Sequence, residues 1–559
     1  MGAGVRSATR AIPLLGQLGQ YSARSLRADV VAALVISVTL LPQALGYGAL
    51  AGLPPAAGLY TALGAATVFA LLTRTRFVSV GPSSTLALLT FSVVHERAGS
   101  DVARATALAA VLSLLMGMWC LVGAALRLQG FSDFLSAPVM LGYQAGVAVE
   151  VIAGQLGPLL GVATHGTDPL GKMWQVCTHL EQVKPFTAAM GLGAVVALVL
   201  LKRCVSALPG GLVVCLTAIT LSAAFGLARY GVAVVGPVSG GPPTLARLYT
   251  SLEDVWALLI PAAGMALVAS VETVSAVRRT TGSGEHVSLD RESAALGASS
   301  IASGALGGFP PMASTSRSLS ARGAGAHSQL FSLVAAGIVV FVLFTGGPIM
   351  ALLPMAVLSA IVIVGAPKLV DVPGFVRLWR SYRVESVIAL ISMAGVLAFG
   401  VLVGLLVAVV LSVAQLLRRA ARPHDAVLSV TGDDGQAHEL AGRPSPHPDI
   451  LIYRADAPLF FANAAWIRQR LLTSVAAGSP PPRCVILDFE AVFYMDATAA
   501  DVLAQLTLDL RALGCRVALA RVHEPVLGQL RANPYHDGAT QRLPVFPSVR
   551  EAFTAMREP

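Results

Sequence analysis

A short polar stretch between two long apolar runs contains the residues best suited to chemistry. Its sequence is GGFPPMASTSRSLS, at Gly307–Ser320. The glycines and prolines prevent regular helix at its start, and a new helical segment is predicted from the hydroxyl residues onward. The first N–H groups of a helix have no partners inside it and carry partial positive charge, so they attract anions. The stretch therefore outlines an anion site, whose candidate ligands are Ser314, Thr315, Ser316 and Arg317.

The position of Arg317 within an apolar region favours a functional role. A charged side chain is costly in lipid, and such residues usually face the protein interior and mark a substrate path. The alternative is that Arg317 snorkels to the cytoplasmic face of the membrane. Arginine suits a sulfate-like or carboxylate anion because its planar fork donates two parallel, charge-assisted hydrogen bonds.

A second stretch earlier in the chain has the same design. A Gly-Pro breaker precedes a hydroxyl cluster and an apolar segment that reaches Val94; the cluster is Ser83, Ser84 and Thr85. At about 1.5 Å per residue, residues 82–94 cover about 20 Å, less than a bilayer core of about 30 Å, so a half-helix is predicted. Two interrupted segments at matching places in two halves indicate an inverted-repeat transporter. The alternative is coincidence, because Gly and Pro are common in membrane helices.

The composition excludes a soluble globule. The chain has 559 residues, of which 55% are hydrophobic and 12% charged, and its mean hydropathy is +0.72. These values indicate a polytopic membrane protein. The net charge of +9 is attributed to Lys and Arg on cytoplasmic loops, and no nucleic-acid partner is predicted. The six cysteines lack metal-binding spacing, so neither a disulfide framework, a metal site nor a cofactor is predicted.

The apolar runs predict about 14 membrane segments, an even number. Threading them with the N-terminus inside gathers most Lys and Arg on the cytoplasmic side, which places both termini there. The first run, Val30–Ala51, is broken by Pro42 and Gln43, which suggests a polar cavity. The predicted divisions are a cytoplasmic N-terminal segment at 1–28 and a transmembrane domain at 29–422, with repeats at about 29–205 and 206–422.

The character of the chain changes after Arg422. A polar linker is predicted at 423–448, followed at 449–559 by short strands that alternate with amphipathic helices. This alternation predicts a small soluble α/β domain without a Gly-rich phosphate loop. Its acidic residues Asp488, Glu490 and Asp496 are interpreted as loop and cap residues because no nucleophile accompanies them.

Several motifs together resemble one family from end to end. They are LPQALGYGALAGLPPAAGLY at Leu41–Tyr60, Val80-Gly81-Pro82, Leu289-Asp290-Arg291-Glu292, Gly307-Gly308-Phe309-Pro310 and Ser316-Arg317-Ser318. The tail adds Ala457–Asn463 and Val485–Phe489, which look like a STAS domain. The chain resembles the sulfate permease (SulP) family of anion transporters. The resemblance implies two inverted seven-segment repeats with half-helices at segments 3 and 10, a core and a gate, and a homodimer.

The resemblance also implies roles for particular residues. The anion site would lie between the third and tenth segments, walled by the first and eighth. Gln43 and Tyr47 would line it from the first segment, and the two hydroxyl clusters would supply the half-helix N-termini. Arg317 matches an arginine that many members carry, and Glu272 occupies the position of a carboxylate linked to cation coupling.

Glu272 suggests a route to coupling. Burial in an apolar span favours the protonated form of a carboxyl group, whereas a neighbouring Arg317 would oppose protonation. A bound anion could offset the arginine and allow proton–anion symport. The alternative is a permanent Glu272–Arg317 ion pair.

Three positions depart from the family pattern. Glu150 replaces an apolar residue and is either a second proton group or, as we favour, a helix-interface residue. His327 stands where relatives often place a lysine. In the tail, Asp496 is followed by Ala497 instead of a Ser or Thr, so no phosphoswitch is predicted there.

The functional hypothesis is a secondary transporter in the cytoplasmic (inner) membrane. It would import an inorganic oxyanion, with sulfate favoured, by proton symport, while the core slides against the gate. The alternatives are import of bicarbonate or a dicarboxylate with sodium or proton coupling, an anion channel, or a signalling protein whose STAS tail binds a cytoplasmic partner. An enzyme is the least supported class.

Overall fold

The computed structural model describes residues 13–14, 21–99, 101–127, 136–164, 169–204, 210–236, 250–281, 287–430, 437–440, 445–478, 480–532 and 543–557. The chain forms two compact units, Met1–Ser412 and Val413–Pro559. Parts of the predicted N-terminal segment, of the boundary between the repeats and of the linker lie outside the described residues.

The first unit is helical. Among the described residues, its α-helices in chain order are α1 Ala23–Leu50, α2 Ala56–Leu72, α3 Ser84–Ala98, α4 Val102–Ala125, α5 Ala137–Leu160, α6 Pro169–Thr178, α7 Pro185–Cys204, α8 Gly210–Phe225, α9 Leu252–Thr280, α10 Leu289–Ala305, α11 Thr315–Gly323, α12 Leu330–Thr345, α13 Gly347–Met350, α14 Met355–Gly365, α15 Val372–Ser381 and α16 Arg383–Ala421. Within the described residues, six helices are long and apolar enough to cross a membrane: α1, α4, α5, α7, α9 and the Arg383–Val401 part of α16. The long helix α16 is broken at Gly400, where φ is 78°.

The helices pack as two groups. In the first group, α10 lies against α2 and α4, and α9 lies against α4 and α11. In the second group, α14 lies against α5 and α7. Helix α1 contacts members of both groups. The sequence predicted a division of this kind, into a core and a gate, only through the family resemblance.

Helix α1 passes through Pro42 without a break, although the sequence suggested an interruption there. A proline removes one backbone hydrogen bond, and neighbouring helices can compensate within a packed bundle. Helix α2 packs closely on this part of α1. A Cβ built on Gly58 would lie 1.7 Å from the Ala44 carbonyl oxygen, so only glycine allows the two backbones this approach.

The second unit is an α/β domain with a six-stranded sheet. Its elements are β3 Asp425–Val430, β4 Ala437–Glu439, β5 Ile450–Ala455, α17 Ala464–Ala477, β6 Cys484–Asp488, α18 Ala497–Ala512, β7 Arg516–Ala520, α19 Glu524–Ala532, β8 Val545–Phe546 and α20 Val549–Arg557. The sheet order is β4-β3-β5-β6-β7-β8, and the strands from β5 to β8 run parallel. Apolar cores cover both faces, as parallel strands require.

The sheet corrects the predicted domain boundary. Strands β3 and β4 lie inside the predicted linker 423–448, and β3 pairs antiparallel with β5. The strand β3, DAVLSV, contains a short apolar run at 426–428, but neighbouring Gly, Pro and charged residues obscured it. After β4, the strands and helices alternate along the chain as predicted.

Candidate anion site

The candidate site begins with two short strands that hold the half-helices together. Strand β1 (Val80–Gly81) pairs antiparallel with β2 (Met312–Ala313), with Val80 opposite Ala313. The Ser314 N–H donates to the Ser79 carbonyl at 2.9 Å, and the Ser79 N–H donates to Ser318 Oγ at 2.9 Å. This pairing brings the N-termini of α3 and α11 together, although they are more than 200 residues apart in sequence.

A serine caps each half-helix. Ser83 Oγ accepts from the Leu86 N–H at 3.3 Å, and Ser314 Oγ accepts from the Arg317 N–H at 3.4 Å. Each cap satisfies only one of the N–H groups that a helix N-terminus leaves without partners. Four further N–H groups have no acceptor among the described residues; they belong to Ser84, Thr85, Thr315 and Ser316.

The guanidinium of Arg317 lies between these two N-termini and is only 4% exposed. Its Nη1 donates to the Pro82 carbonyl at 3.3 Å and more weakly to Gln43 Oε1 at 3.5 Å. The Nε and Nη2 atoms are buried and have no acceptor within the described part of the chain. Leaving such donors unsatisfied is costly, so a buried guanidinium of this kind favours a negatively charged ligand.

Helix α1 provides another wall. The Tyr47 hydroxyl interacts with the Ser84 side chain and with the charge of Arg317. Gln43, one turn earlier, contacts the guanidinium from the same helix face. The structure therefore brings together the residues predicted from α1, α3 and α11. Sequence reasoning missed the Pro82 carbonyl as a partner, because a backbone acceptor has no signature in residue type.

Glu272 belongs to a different neighbourhood. Its Oε1 accepts a hydrogen bond from Gln144 Nε2 on α5, and the charge of Arg279 lies nearby. The ion pair with Arg317, which was the structural alternative, is not present among the described residues. Gln144 was also missed by sequence reasoning, since an isolated glutamine in an apolar span carries no spacing motif.

Two of the departures from the family pattern can be placed. Glu150 is buried on α5 and, with Glu96 and Arg97, lines a cavity of about 390 Å³. It therefore faces open space as well as neighbouring helices. The His327 side chain is exposed, and its backbone N–H donates to Asp29 at 2.6 Å.

Similarity to solved structures agrees with this architecture. The structure of the murine solute carrier 26 family member A9 anion transporter in the inward-facing state has a TM-score of 0.90 at 20% identity, covering 100% of this chain and 95% of the other. The transmembrane domain of a cyanobacterial bicarbonate transporter has a TM-score of 0.60 at 21% identity, covering 69% of this chain and 98% of the other. At these identities the likeness shows the fold: a helical unit with apolar helices of membrane length and a C-terminal α/β domain.

Sequence comparison then gives the family. The model of the sulfate permease family matches residues 26–392, and that of the STAS domain matches residues 445–552. A probable sulfate transporter of Mycobacterium tuberculosis is 37% identical over 546 residues, covering 97% of this chain and 98% of the relative. Human solute carrier family 26 member 6 is 30% identical over 495 residues, covering 82% of this chain and 64% of the relative. The chain belongs to the sulfate permease family.

Proposed function

We propose that the chain is a secondary active transporter that imports an inorganic oxyanion, with sulfate as the favoured substrate and protons as the coupling ion. The observation that carries this proposal is the buried guanidinium of Arg317, which lies beside the N-termini of two half-helices. Its Nε and Nη2, and the first N–H groups of those helices, have no acceptor in the described part of the chain. A tetrahedral dianion has acceptor oxygens in several directions. It could therefore accept from the guanidinium and from both helix N-termini at once.

The substrate would be bound by residues of three helices. Arg317 would donate a pair of hydrogen bonds, and Gln43 and Tyr47 would line the side formed by α1. The hydroxyl and N–H groups at the N-termini would surround the remaining oxygens; they belong to Ser83, Ser84, Thr85, Ser314, Thr315 and Ser316. The relative from Mycobacterium tuberculosis, which bears the name sulfate transporter, supports sulfate over other oxyanions.

Coupling would use Glu272. Its carboxylate accepts from Gln144, and this bond joins α9 of the first helix group to α5 of the second. Relative sliding of the two groups would break that bond, and a proton taken up by Glu272 would replace the lost donor. The carboxylate and Arg317 do not form an ion pair, so the anion and the proton would act through the shared motion of α9 and α11.

The proposal also includes the assembly of the transporter, its orientation in the membrane and the role of its C-terminal domain. The transport domain would be a pair of inverted repeats in a homodimer, placed in the cytoplasmic membrane with both termini inside. The C-terminal STAS domain would regulate transport through a cytoplasmic partner. The excess of Lys and Arg on one set of loops supports this orientation.

Uptake into proteoliposomes tests the proposal. Labelled sulfate, bicarbonate and succinate would be compared under an inward proton gradient, an inward sodium gradient and no gradient. We expect saturable sulfate uptake that the proton gradient stimulates. Stimulation by the sodium gradient alone would show that sodium, and not the proton, is the coupling ion. Preference for bicarbonate or succinate would show that sulfate is not the substrate. Flux that does not saturate would indicate a channel, and absence of flux of all three anions would overturn the assignment.

A further inference from the structure

The short helix α15, Val372–Ser381, lies outside the anion site. It has one face packed on the protein, one exposed apolar face and one basic face. We propose that α15 is an interfacial helix that binds anionic phospholipid headgroups of the adjacent leaflet through Arg377, Arg380 and Arg383. This surface is separate from transport chemistry, so the proposal goes beyond the function proposed above.

Both ends of α15 are well defined. Asp371 Oδ1 accepts from the Gly374 N–H at 3.0 Å, and Pro373 occupies the first turn. At the other end, the Tyr382 N–H donates to the Leu378 carbonyl at 2.7 Å. A helix with fixed ends presents fixed faces, because side chains three and four positions apart share one side.

One face of α15 packs against the protein. Gly374 and Leu378, four positions apart, are both buried. A Cβ built on Gly374 would lie 2.5 Å from Leu141 Cδ1, so the helix lies directly on α5. The orientation of α15 relative to the helical bundle is therefore set by close packing.

A second face is apolar and uncovered. Val372, Val376 and Trp379 are 59%, 45% and 64% exposed, and their spacing of four and three places them on one side of the helix. The exposed side chains of Val384 and Val387 then follow at the start of α16. That part of α16 is long and apolar enough to cross a membrane, so the apolar face of α15 continues a lipid-facing surface.

The third face is basic. Arg377 and Arg380 lie three positions apart beside the apolar face, and Arg383 follows the end of the helix. All three are exposed, and none has an ion-pair or hydrogen-bond partner within the described residues. Guanidinium groups pair readily with phosphate, and aromatic residues such as Trp379 and Tyr382 favour the headgroup level.

These three faces fit a lipid surface better than a protein partner. An apolar face flanked by arginines, with Trp on the apolar side, is the pattern of helices that lie in the membrane interface. The basic strip adds attraction to anionic lipids, roughly fivefold in affinity for each arginine near the surface. Helix α15 would thereby hold α5 at a fixed depth in the leaflet.

The first experiment locates Trp379 in the intact protein. A single-tryptophan variant of the full chain would carry the substitutions W119F, W174F, W256F and W466F and would be reconstituted in vesicles. Lipids brominated near the headgroup or near the chain end would then be compared as quenchers. We expect strong quenching by the shallow bromines and weak quenching by the deep ones. Absence of quenching by either lipid would overturn the proposal and indicate that protein covers the helix.

The second experiment tests headgroup selectivity. Full-length protein in nanodiscs made of phosphatidylcholine and phosphatidylglycerol would be assayed for enrichment of the anionic lipid at its surface. We expect the R377Q/R380Q variant to lose at least about fivefold in enrichment. The matched control R483Q/R550Q removes the same charge from exposed positions of the C-terminal domain and should leave the enrichment unchanged. Equal enrichment in both variants would overturn the proposal.

Discussion

Two buried or partly buried arginines of this protein are held in opposite ways. In the C-terminal domain, Arg521 uses all of its guanidinium nitrogens. Its Nε donates to Asp488 Oδ1 at 2.9 Å, its Nη2 pairs with the same carboxylate, and its Nη1 contacts Glu490 at 2.8 Å. In the membrane unit, Arg317 uses only Nη1, and its acceptors are a carbonyl and an amide oxygen.

The difference teaches how to separate a structural arginine from one that binds a ligand. The charge of Arg521 is balanced by carboxylates within its own domain, so nothing further is required there. Among the residues that the structure describes, no carboxylate pairs with the charge of Arg317, although burial makes an unbalanced charge costly. The neighbouring helix N-termini add more positive potential instead of removing it. A bound anion satisfies all of these groups at once.

The largest expected effect is on transport by the R317A variant. We expect sulfate uptake to fall about 100-fold, because two charge-assisted hydrogen bonds of about 1.5 kcal/mol each are lost. Thermal stability should change little, since no protein carboxylate loses its partner. The matched control is R322A on the same helix, where the side chain donates to the Thr280 carbonyl away from the site. Normal uptake by R317A, or an equal loss in R322A, would refute the role of Arg317.

The second prediction concerns Arg521 in the C-terminal domain, where a substitution should lower stability and leave anion binding unchanged. The R521A variant leaves the buried Asp488 carboxylate without its cation, and we expect the free energy of unfolding of the C-terminal domain to fall by about 3 kcal/mol. The affinity for the anion should remain unchanged. Urea unfolding followed by hydrogen exchange in the C-terminal peptides of the full chain would measure this. A double variant D488N/R521Q should recover part of the loss; no recovery would show that the pair is not the cause.

A third prediction concerns the proton. The E272Q variant keeps a polar partner for Gln144 but cannot ionise. We expect it to bind sulfate as the wild type does and to lose most of the stimulation by an inward proton gradient. The control E253Q changes an exposed glutamate in the first turn of the same helix. Parallel uptake assays at several external pH values would distinguish the two, and full stimulation in E272Q would contradict the coupling role.

The smallest expected effect is on the pH dependence of the C-terminal domain. The hydrogen bond to Asp456 raises the pKa of the exposed His424 above its usual value. Although burial alone would raise the pKa of Asp456, hydrogen bonds from His424 and Arg454 hold it below its usual value. The contact of His424 is therefore fully stabilising below a pH of about 6.5 and is lost as pH rises through the raised pKa.

That contact predicts a slightly lower unfolding temperature of the domain at pH 8 than at pH 6. In the H424Q variant, the difference in unfolding temperature between pH 6 and pH 8 should be smaller, because the contribution of His424 is removed. Differential scanning fluorimetry of the two proteins across this range provides the measurement. An identical pH dependence in both proteins would contradict the assigned role of the histidine.

Much of the fold could be predicted because apolar runs and breakers have direct physical consequences. The half-helices followed from Gly-Pro breakers before hydroxyl clusters, and the helices of the C-terminal domain followed from their periodicity. Strands β3 and β4 could not be predicted, since short strands among polar residues depend on their partners in the sheet. The continuity of α1 through Pro42 likewise depends on packing that a linear sequence does not contain.

The candidate site was predictable in its residue types but not in its partners. Arg317 and Gln43 could be named because a charge and a polar group in apolar segments are conspicuous, whereas Tyr47 was expected only from the family resemblance. The bond from Gln144 to Glu272 could not, because it joins residues 128 positions apart through tertiary packing. Nor could the sequence decide between an ion pair of Glu272 with Arg317 and separate roles for the two residues.

The most direct test of the anion site is to locate the bound ion. Selenate is a close analogue of sulfate, and its selenium atom gives an anomalous signal in crystals of the full-length protein. The account predicts a selenium peak between the N-termini of α3 and α11, within hydrogen-bonding distance of Arg317 Nε or Nη2, and loss of the peak in R317A. A peak elsewhere in the protein, or an unchanged peak in R317A, would contradict it.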